Sequence, residues 1–131
     1  MKKILVIGSN SFAGSNFIDF LLNKKIKVVG VSRNYQINKE YLKYKNNKYI
    51  QNFRFYKVNL NIKKDLEKLI NIIKKQEIEY FVNFAAQGMV AESWINPEDW
   101  YTTNVVTSSI LIKKLSKIKI KKYLNFSTPE V

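Results

Sequence analysis

The stretch Lys3-Ile4-Leu5-Val6-Ile7-Gly8-Ser9-Asn10-Ser11-Phe12-Ala13-Gly14 decides the fold. The run up to Ile7 lacks polar alternation, so it reads as a parallel strand covered on both faces. Gly8 lets the chain turn sharply, Gly14 lets a following helix pack closely on the sheet, and Asn16 to Leu22 reads as that helix. A turn so placed sets backbone amides and a helix N-terminus where a pyrophosphate can bind, which points to a nucleotide site. The plain alternative is an ordinary tight strand-to-helix connection.

Outward from this unit the pattern repeats. Val28 to Ser32, Phe53 to Asn59, Tyr80 to Phe84 and Lys121 to Ser127 read as four more strands. Ile62, Leu66, Leu69, Ile70 and Ile73 mark one face of a helix by their spacing, with Lys63, Lys64, Lys68 and Lys74 largely on the other. A further helix is expected from Asp99 to Leu115, with Val105, Val106, Ile110, Leu111 and Leu115 available for burial. Asn34 to Gln51 has too weak a periodicity to assign. Strands alternating with helical crossovers argue for an α/β domain with a parallel sheet and right-handed connections.

Composition narrows the chemistry. The 131 residues suffice for one domain with a core. With no Cys and no His, disulfides, thiolate zinc sites and Ser-His triads are excluded, and no metal site is expected. No run approaches a membrane span and no signal-peptide pattern follows Lys2 and Lys3, so a cytoplasmic protein without a membrane partner is expected. The net charge of +13 suggests nucleic acid at first sight. Yet 21 of the 23 basic residues are Lys, beside 15 Asn and 16 Ile. A phosphate-gripping surface would use more Arg, so the charge reads as codon bias and nucleic acid is not the expected partner.

One arginine stands apart. At the end of the second strand, where an NAD site would place a carboxylate on the ribose hydroxyls, this chain has Ser32 followed by Arg33 and Asn34. That favours NADP, with NAD as the alternative. A merely solvated Arg33 is the plain alternative.

Four segments together resemble the extended short-chain dehydrogenase/reductases, and within them the sugar-nucleotide epimerase/dehydratase group. They are Gly8 to Gly14, Asn83-Phe84-Ala85-Ala86-Gln87, Pro97 through Asn104-Val105-Val106, and Phe126-Ser127-Thr128-Pro129-Glu130-Val131. The likeness runs the length of the chain in the family's order. It implies a Rossmann-type doubly wound parallel sheet of at least five strands. Residues 1–131 would be an NAD(P)-binding domain, cut before the catalytic helix and the substrate domain.

The resemblance also implies a cofactor set: Gly8, Asn10, Ser11, Phe12 and Gly14 at the first turn; Ser32 and Arg33; Asn59 and Leu60; Phe84, Ala85, Ala86 and Gln87; and Asn104 on a helix. Ser11 stands where the family has Gly. Asn59 stands where it has an acidic residue toward the adenine, and its carbonyl is expected to accept the same hydrogen bond. Ser93 is a candidate substrate contact.

For catalysis the family uses a Ser or Thr after the fifth strand and a later Tyr-x-x-x-Lys pair. Thr128 falls where the hydroxyl belongs. Glu130 suits removal of a C5 proton, which favours a dTDP-glucose/GDP-mannose 4,6-dehydratase-like enzyme over a 4-epimerase or decarboxylase, although Pro129 replaces the acid partner. Tyr41 with Lys45 and Tyr44 with Lys48 match the pair by chance and lie on the adenosine side. The true pair is expected beyond Val131, so these 131 residues alone should not turn over. The implied substrate is a dTDP-, GDP- or UDP-hexose and the implied assembly a homodimer. A non-catalytic NADP-sensing or RNA-binding protein is the reading from another class.

Overall fold

The computed structural model describes residues 2–36 and 40–127. Strand β1 (Lys3–Ile7) leads into helix α1 (Phe12–Asn23), then β2 (Lys27–Ser32), two short 3-10 turns at Lys43–Asn46 and Ile50–Asn52, and β3 (Phe53–Lys57). Helix α2 (Lys63–Gln76), β4 (Tyr80–Asn83), the one-turn helices α3 (Val90–Ser93) and α4 (Pro97–Trp100), a π-type segment at Tyr101–Thr107, α5 (Ser108–Leu115) and β5 (Lys122–Asn125) follow. The five strands form one sheet in the order β3-β2-β1-β4-β5, every described pair parallel. Because the order reverses direction between β1 and β4, the ends of these two strands diverge and open a crevice at their C-terminal side.

Two apolar layers hold the sheet. Leu5 and Ile7 of β1 join Val29 and Val31 of β2 against Leu66, Leu69 and Ile73 of α2 and Leu111 and Leu115 of α5. Val6 and Val28 join the opposite layer, formed by Ile18, Leu21 and Leu22 of α1 with Leu42 and Tyr44. Neighbours along each strand thus serve opposite layers, which is why the sequence shows no polar alternation. Each fully buried Leu or Ile contributes about 2 kcal/mol through burial alone. Gly30, in the middle of β2, leaves room for Phe53, whose ring atoms would lie 2.6 Å from a Cβ at that position. Phe53 packs in turn on Tyr44, with ring centroids 4.5 Å apart.

Several boundaries differ from the sequence reading. Strand β3 stops at Lys57 rather than Asn59, β4 at Asn83 rather than Phe84, and β5 covers Lys122–Asn125 rather than Lys121 to Ser127. The larger correction concerns the helix expected from Asp99 to Leu115. Helical structure begins at Pro97, suited to a first helical position, but the turns at Tyr101–Thr107 are π-type. Leu111 and Leu115 are buried as expected; Val105, Val106 and Ile110 are exposed. Thr103 and Thr107 instead turn toward Asn61, whose Nδ2 donates to Thr103 Oγ1 at 3.0 Å while Thr107 Oγ1 donates to its Oδ1 at 2.7 Å. Regular 3.6-residue periodicity does not survive a wider turn, so the apolar side chains counted on one face are rotated out of it. Ile62 is likewise exposed, capping α2 from outside rather than joining its buried face.

Burial pushes the phenols of Tyr44 and Tyr123 up from the ordinary tyrosine value, with hydrogen bonds from Gln36 and Asn83 offsetting part of the rise. The unfolded chain therefore loses these protons first, and above about pH 10 it binds fewer protons than the folded one. Below that pH the two groups add no pH dependence; above it they make folding progressively less favourable. In a phenolate absorbance titration these two of the eight tyrosines should ionise later than the exposed ones. One common transition at the ordinary value would contradict this.

Candidate cofactor site

A cleft of about 310 Å³ opens at the C-terminal ends of β1, β2 and β4, lined among others by Gly8, Ser32, Asn59 and Ala85. Its floor is the turn after β1. Gly8 has φ of +79°, and a Cβ there would come within 2.8 Å of the Ala85 backbone nitrogen. Glycine is therefore needed twice over, for the left-handed backbone and for the close approach of the β4 end. The Gly8 amide donates to Val31 O at 2.9 Å, and Ser11 N donates to Gly8 O at 2.9 Å, which closes the turn.

Ser11 then caps α1. Its Oγ accepts from Gly14 N at 3.0 Å, and its φ of −72° needs no glycine. The replacement of the family's Gly thus satisfies one free amide of the first helical turn. That first turn holds no acidic residue. A bound anion would meet the positive end of the helix without a competing carboxylate. Gly14 sits behind the turn rather than in the cleft wall, and a Cβ there would meet Gly8 O at 2.3 Å.

The β2 side of the cleft carries Ser32, Arg33 and Asn34. Among the described residues lining the cleft, Arg33 bears the only formal charge. Asn10 reaches across from the first turn, its Nδ2 donating to both Asn34 O and Tyr35 O at 3.1 Å. On the β3 side lie Asn59, Leu60 and Asn61. Asn59 is already engaged: its amide donates to Asp65 Oδ2 at 2.8 Å and its Oδ1 accepts from Asn61 N at 3.1 Å. Its carbonyl keeps one lone pair for a ligand.

Phe84, Ala85, Ala86 and Gln87 form the β4 wall. Asn83, buried at the strand end, accepts from Ala85 N at 3.0 Å and donates through Nδ2 to Asn125 Oδ1 at 2.8 Å. Asn104 does not line the cleft. It clamps the wall from outside, accepting from Gln87 N at 2.9 Å and donating to Gln87 O at 3.0 Å.

Eleven of the fourteen cofactor candidates therefore share one cleft; Phe12, Gly14 and Asn104 do not line it. Phe12 is 87% exposed on the other side of the helix start. Ser93 donates to Val90 O at 2.6 Å within α3, away from the cleft. Thr128 and Glu130 lie outside the described residues. Sequence reading missed Asn61 and Thr103, which also line the cleft, because only the fold brings them within hydrogen-bond distance. Tyr44, rejected as a catalytic base, is fully buried in the α1-side layer. No helix among the described residues is long and apolar enough to cross a membrane.

Known proteins resemble this arrangement. A dTDP-D-glucose 4,6-dehydratase of Dictyostelium discoideum is 31% identical over 138 residues, covering all of this chain and 30% of that protein. The crystal structure of a UDP-glucose 4-epimerase from Thermotoga maritima with UDP-glucose superposes with a TM-score of 0.78 at 30% identity, covering 96% of this chain and 38% of that one. A UDP-glucose 4-epimerase from Bifidobacterium longum, solved with NAD+ and UDP, shares the fold at a TM-score of 0.80 and 22% identity, covering 98% and 37%. The chain spans less than half the length of the curated relatives it matches. The family model described as GDP-mannose 4,6 dehydratase matches residues 5–131. With that match running from β1 through β5, this chain belongs to the GDP-mannose 4,6-dehydratase family.

Proposed function

We propose that the cleft binds NADP and that residues 1–131 are the cofactor-binding part of an NADP-dependent sugar-nucleotide 4,6-dehydratase. The observation that carries the cofactor reading is Arg33, the single charge on a described cleft wall that contains no carboxylate. A 2′-phosphate there would gain a charge-assisted partner and meet no repulsion, whereas a ribose with free hydroxyls lacks the acidic acceptor it ordinarily uses. The donor set fits the rest of the group. The α1 N-terminus suits the pyrophosphate, and the Gly8 approach to Ala85 keeps the floor free of side-chain bulk. Such a cofactor supplies reversible hydride acceptance from a sugar carbon.

In this reading the chain's own groups position and move protons. Asn104 holds Gln87 and with it the β4 wall on which the nicotinamide ribose would rest. The Thr128 hydroxyl would share the proton leaving a sugar hydroxyl. The Glu130 carboxylate would take the C5 proton as the C6–O bond breaks and C5=C6 forms, the departing hydroxyl taking its proton from solvent water because Pro129 has none to give; both roles rest on the sequence. The substrate would be a dTDP-, GDP- or UDP-hexose. The likeness to the Thermotoga maritima epimerase favours a second reading, a 4-epimerase, in which Glu130 has no proton to remove. A homodimer fits the exposed Val105, Val106 and Ile110, which lie in a stretch, Gln76 to Ile112, without a single Lys or Arg.

Calorimetric titration of the chain with NADP+ and NAD+ tests the cofactor reading. NADP+ should bind more tightly; tighter binding of NAD+, or no binding of either, would overturn it. A protein carrying this chain at its relatives' length should convert a nucleotide-linked hexose to a 4-keto-6-deoxy product. Interconversion of C4 epimers without loss of water would establish the second reading instead.

A further inference from the structure

Two loops of the cleft are joined through a side chain buried beneath them. Tyr44 is fully buried, with its ring against Phe53 and its hydroxyl pointing up toward the first turn. Gln36 Nε2 donates to that hydroxyl at 2.9 Å, and the hydroxyl donates to Asn10 Oδ1 at 3.4 Å. Asn10 Nδ2 then donates to Asn34 O and Tyr35 O, the two carbonyls directly after Arg33. The chain of donors runs in one direction, so each bond polarises the next.

The base of this relay is rigid. The turn that carries Tyr44 is fastened to α1 by Asn47, whose Nδ2 donates to Asp19 Oδ1 at 2.8 Å and Asn23 Oδ1 at 3.1 Å. The phenol is protonated at neutral pH, the form able to donate to Asn10, and burial moves its ionisation further up still. The Nδ2 bonds to Asn34 O and Tyr35 O fix which end of the Asn10 carboxamide faces those carbonyls, and its Oδ1 is held from the other side by the Tyr44 hydroxyl and, at 3.5 Å, by Ser9 Oγ; without the Tyr44 donor that end keeps only the longer bond.

We infer that Tyr44 is a positioning residue for cofactor choice: its hydroxyl orients Asn10, and Asn10 holds the backbone that presents Arg33 to the cleft. This rests on the reading of the cleft as an NADP site, and it adds a specificity determinant that touches no ligand. Tyr44→Phe keeps the ring that fills the core and removes only the hydroxyl. Loss of one such bond should lower the ratio of NADP+ to NAD+ affinity by about three- to tenfold, with the thermal midpoint little changed.

The test is a double-mutant cycle read as that ratio. In an Arg33→Ala background, Tyr44→Phe should leave the ratio unchanged, because the residue through which it acts is gone. An unchanged ratio after Tyr44→Phe alone, or an equal drop in both backgrounds, would overturn the positioning role while leaving the NADP site intact. Failure of the unsubstituted chain to bind either dinucleotide would overturn the site reading, and this inference with it. Should Tyr44→Phe not fold, Gln36→Met removes the donor to the hydroxyl from a half-buried position. It should lower the ratio in the same direction, and no change would count against the relay.

Discussion

Replacing Gly14 by alanine should destabilise the chain by about 3 kcal/mol and abolish dinucleotide binding. An added Cβ would lie 2.3 Å from the Gly8 carbonyl oxygen and 2.9 Å from Ser11 Oγ, and the first of these neighbours is backbone. Relief requires α1 to move away from the sheet. That displacement breaks two things at once: the Ser11 cap on Gly14 N, and the packing of Ile18, Leu21 and Leu22 on β1 and β2. The Gly8 carbonyl is also the acceptor for Ser11 N, so pushing it aside opens the turn that forms the cleft floor. Denaturant unfolding and calorimetry with NADP+ check the two effects separately. A Gly14→Ala chain with an unaltered midpoint and unaltered binding would show that the close approach does not hold in solution. Gly88, where an added Cβ meets nothing within 4 Å, is the internal control, and Gly88→Ala should cost far less.

The second large effect concerns charge rather than packing. Arg33→Ala should weaken NADP+ binding by about a hundredfold, since a charge-assisted hydrogen bond to a phosphate contributes about 1.5–3 kcal/mol. NAD+ affinity should change by less than about threefold, because only the 2′-phosphate distinguishes the two ligands at that wall. Arg33 is exposed, has no carboxylate partner among the described ion pairs, and supports no core contact, so stability should be unaffected. Competition binding of the two dinucleotides checks the split. Equal weakening of both would place Arg33 on a shared part of the ligand and remove the basis for NADP preference.

The division between what could be read from the chain and what could not follows the range of the interactions. The five strands and the helices after β1 and β3 were legible because each depends on its own neighbours: an apolar run between polar turns, or a helical spacing such as Leu66, Leu69 and Ile73. The turn from Gly8 to Gly14 was legible for the same reason, since the Ser11 N to Gly8 O and Gly14 N to Ser11 Oγ bonds each span three residues, although Gly8 and Ser9 are also tied to Val31 O across the sheet. Arg33 could be singled out because it follows a strand end directly, and strand ends of a parallel sheet face the crevice.

Long-range contacts decided the rest. The wide turns at Tyr101–Thr107 accompany Asn61, some forty residues earlier, bonding both Thr103 and Thr107, and that rotation exposes Val105 and Val106. Gly30 looks unremarkable in sequence, yet the Phe53 ring occupies the space its side chain would fill. Asn104, expected near the cofactor, bonds Gln87 of the cleft wall through both ends of its carboxamide, a pairing across seventeen residues that the sequence does not show.

By itself, then, the sequence determined the order of elements, the glycine turn and the residues at the strand ends, since backbone geometry and local hydrophobic period act over a few residues. Only the tertiary structure decided which of those residues share one cleft, which merely brace it, and that Tyr44 lies beneath it. Such partners are set by side chains meeting across elements, and no local pattern in the chain records that meeting.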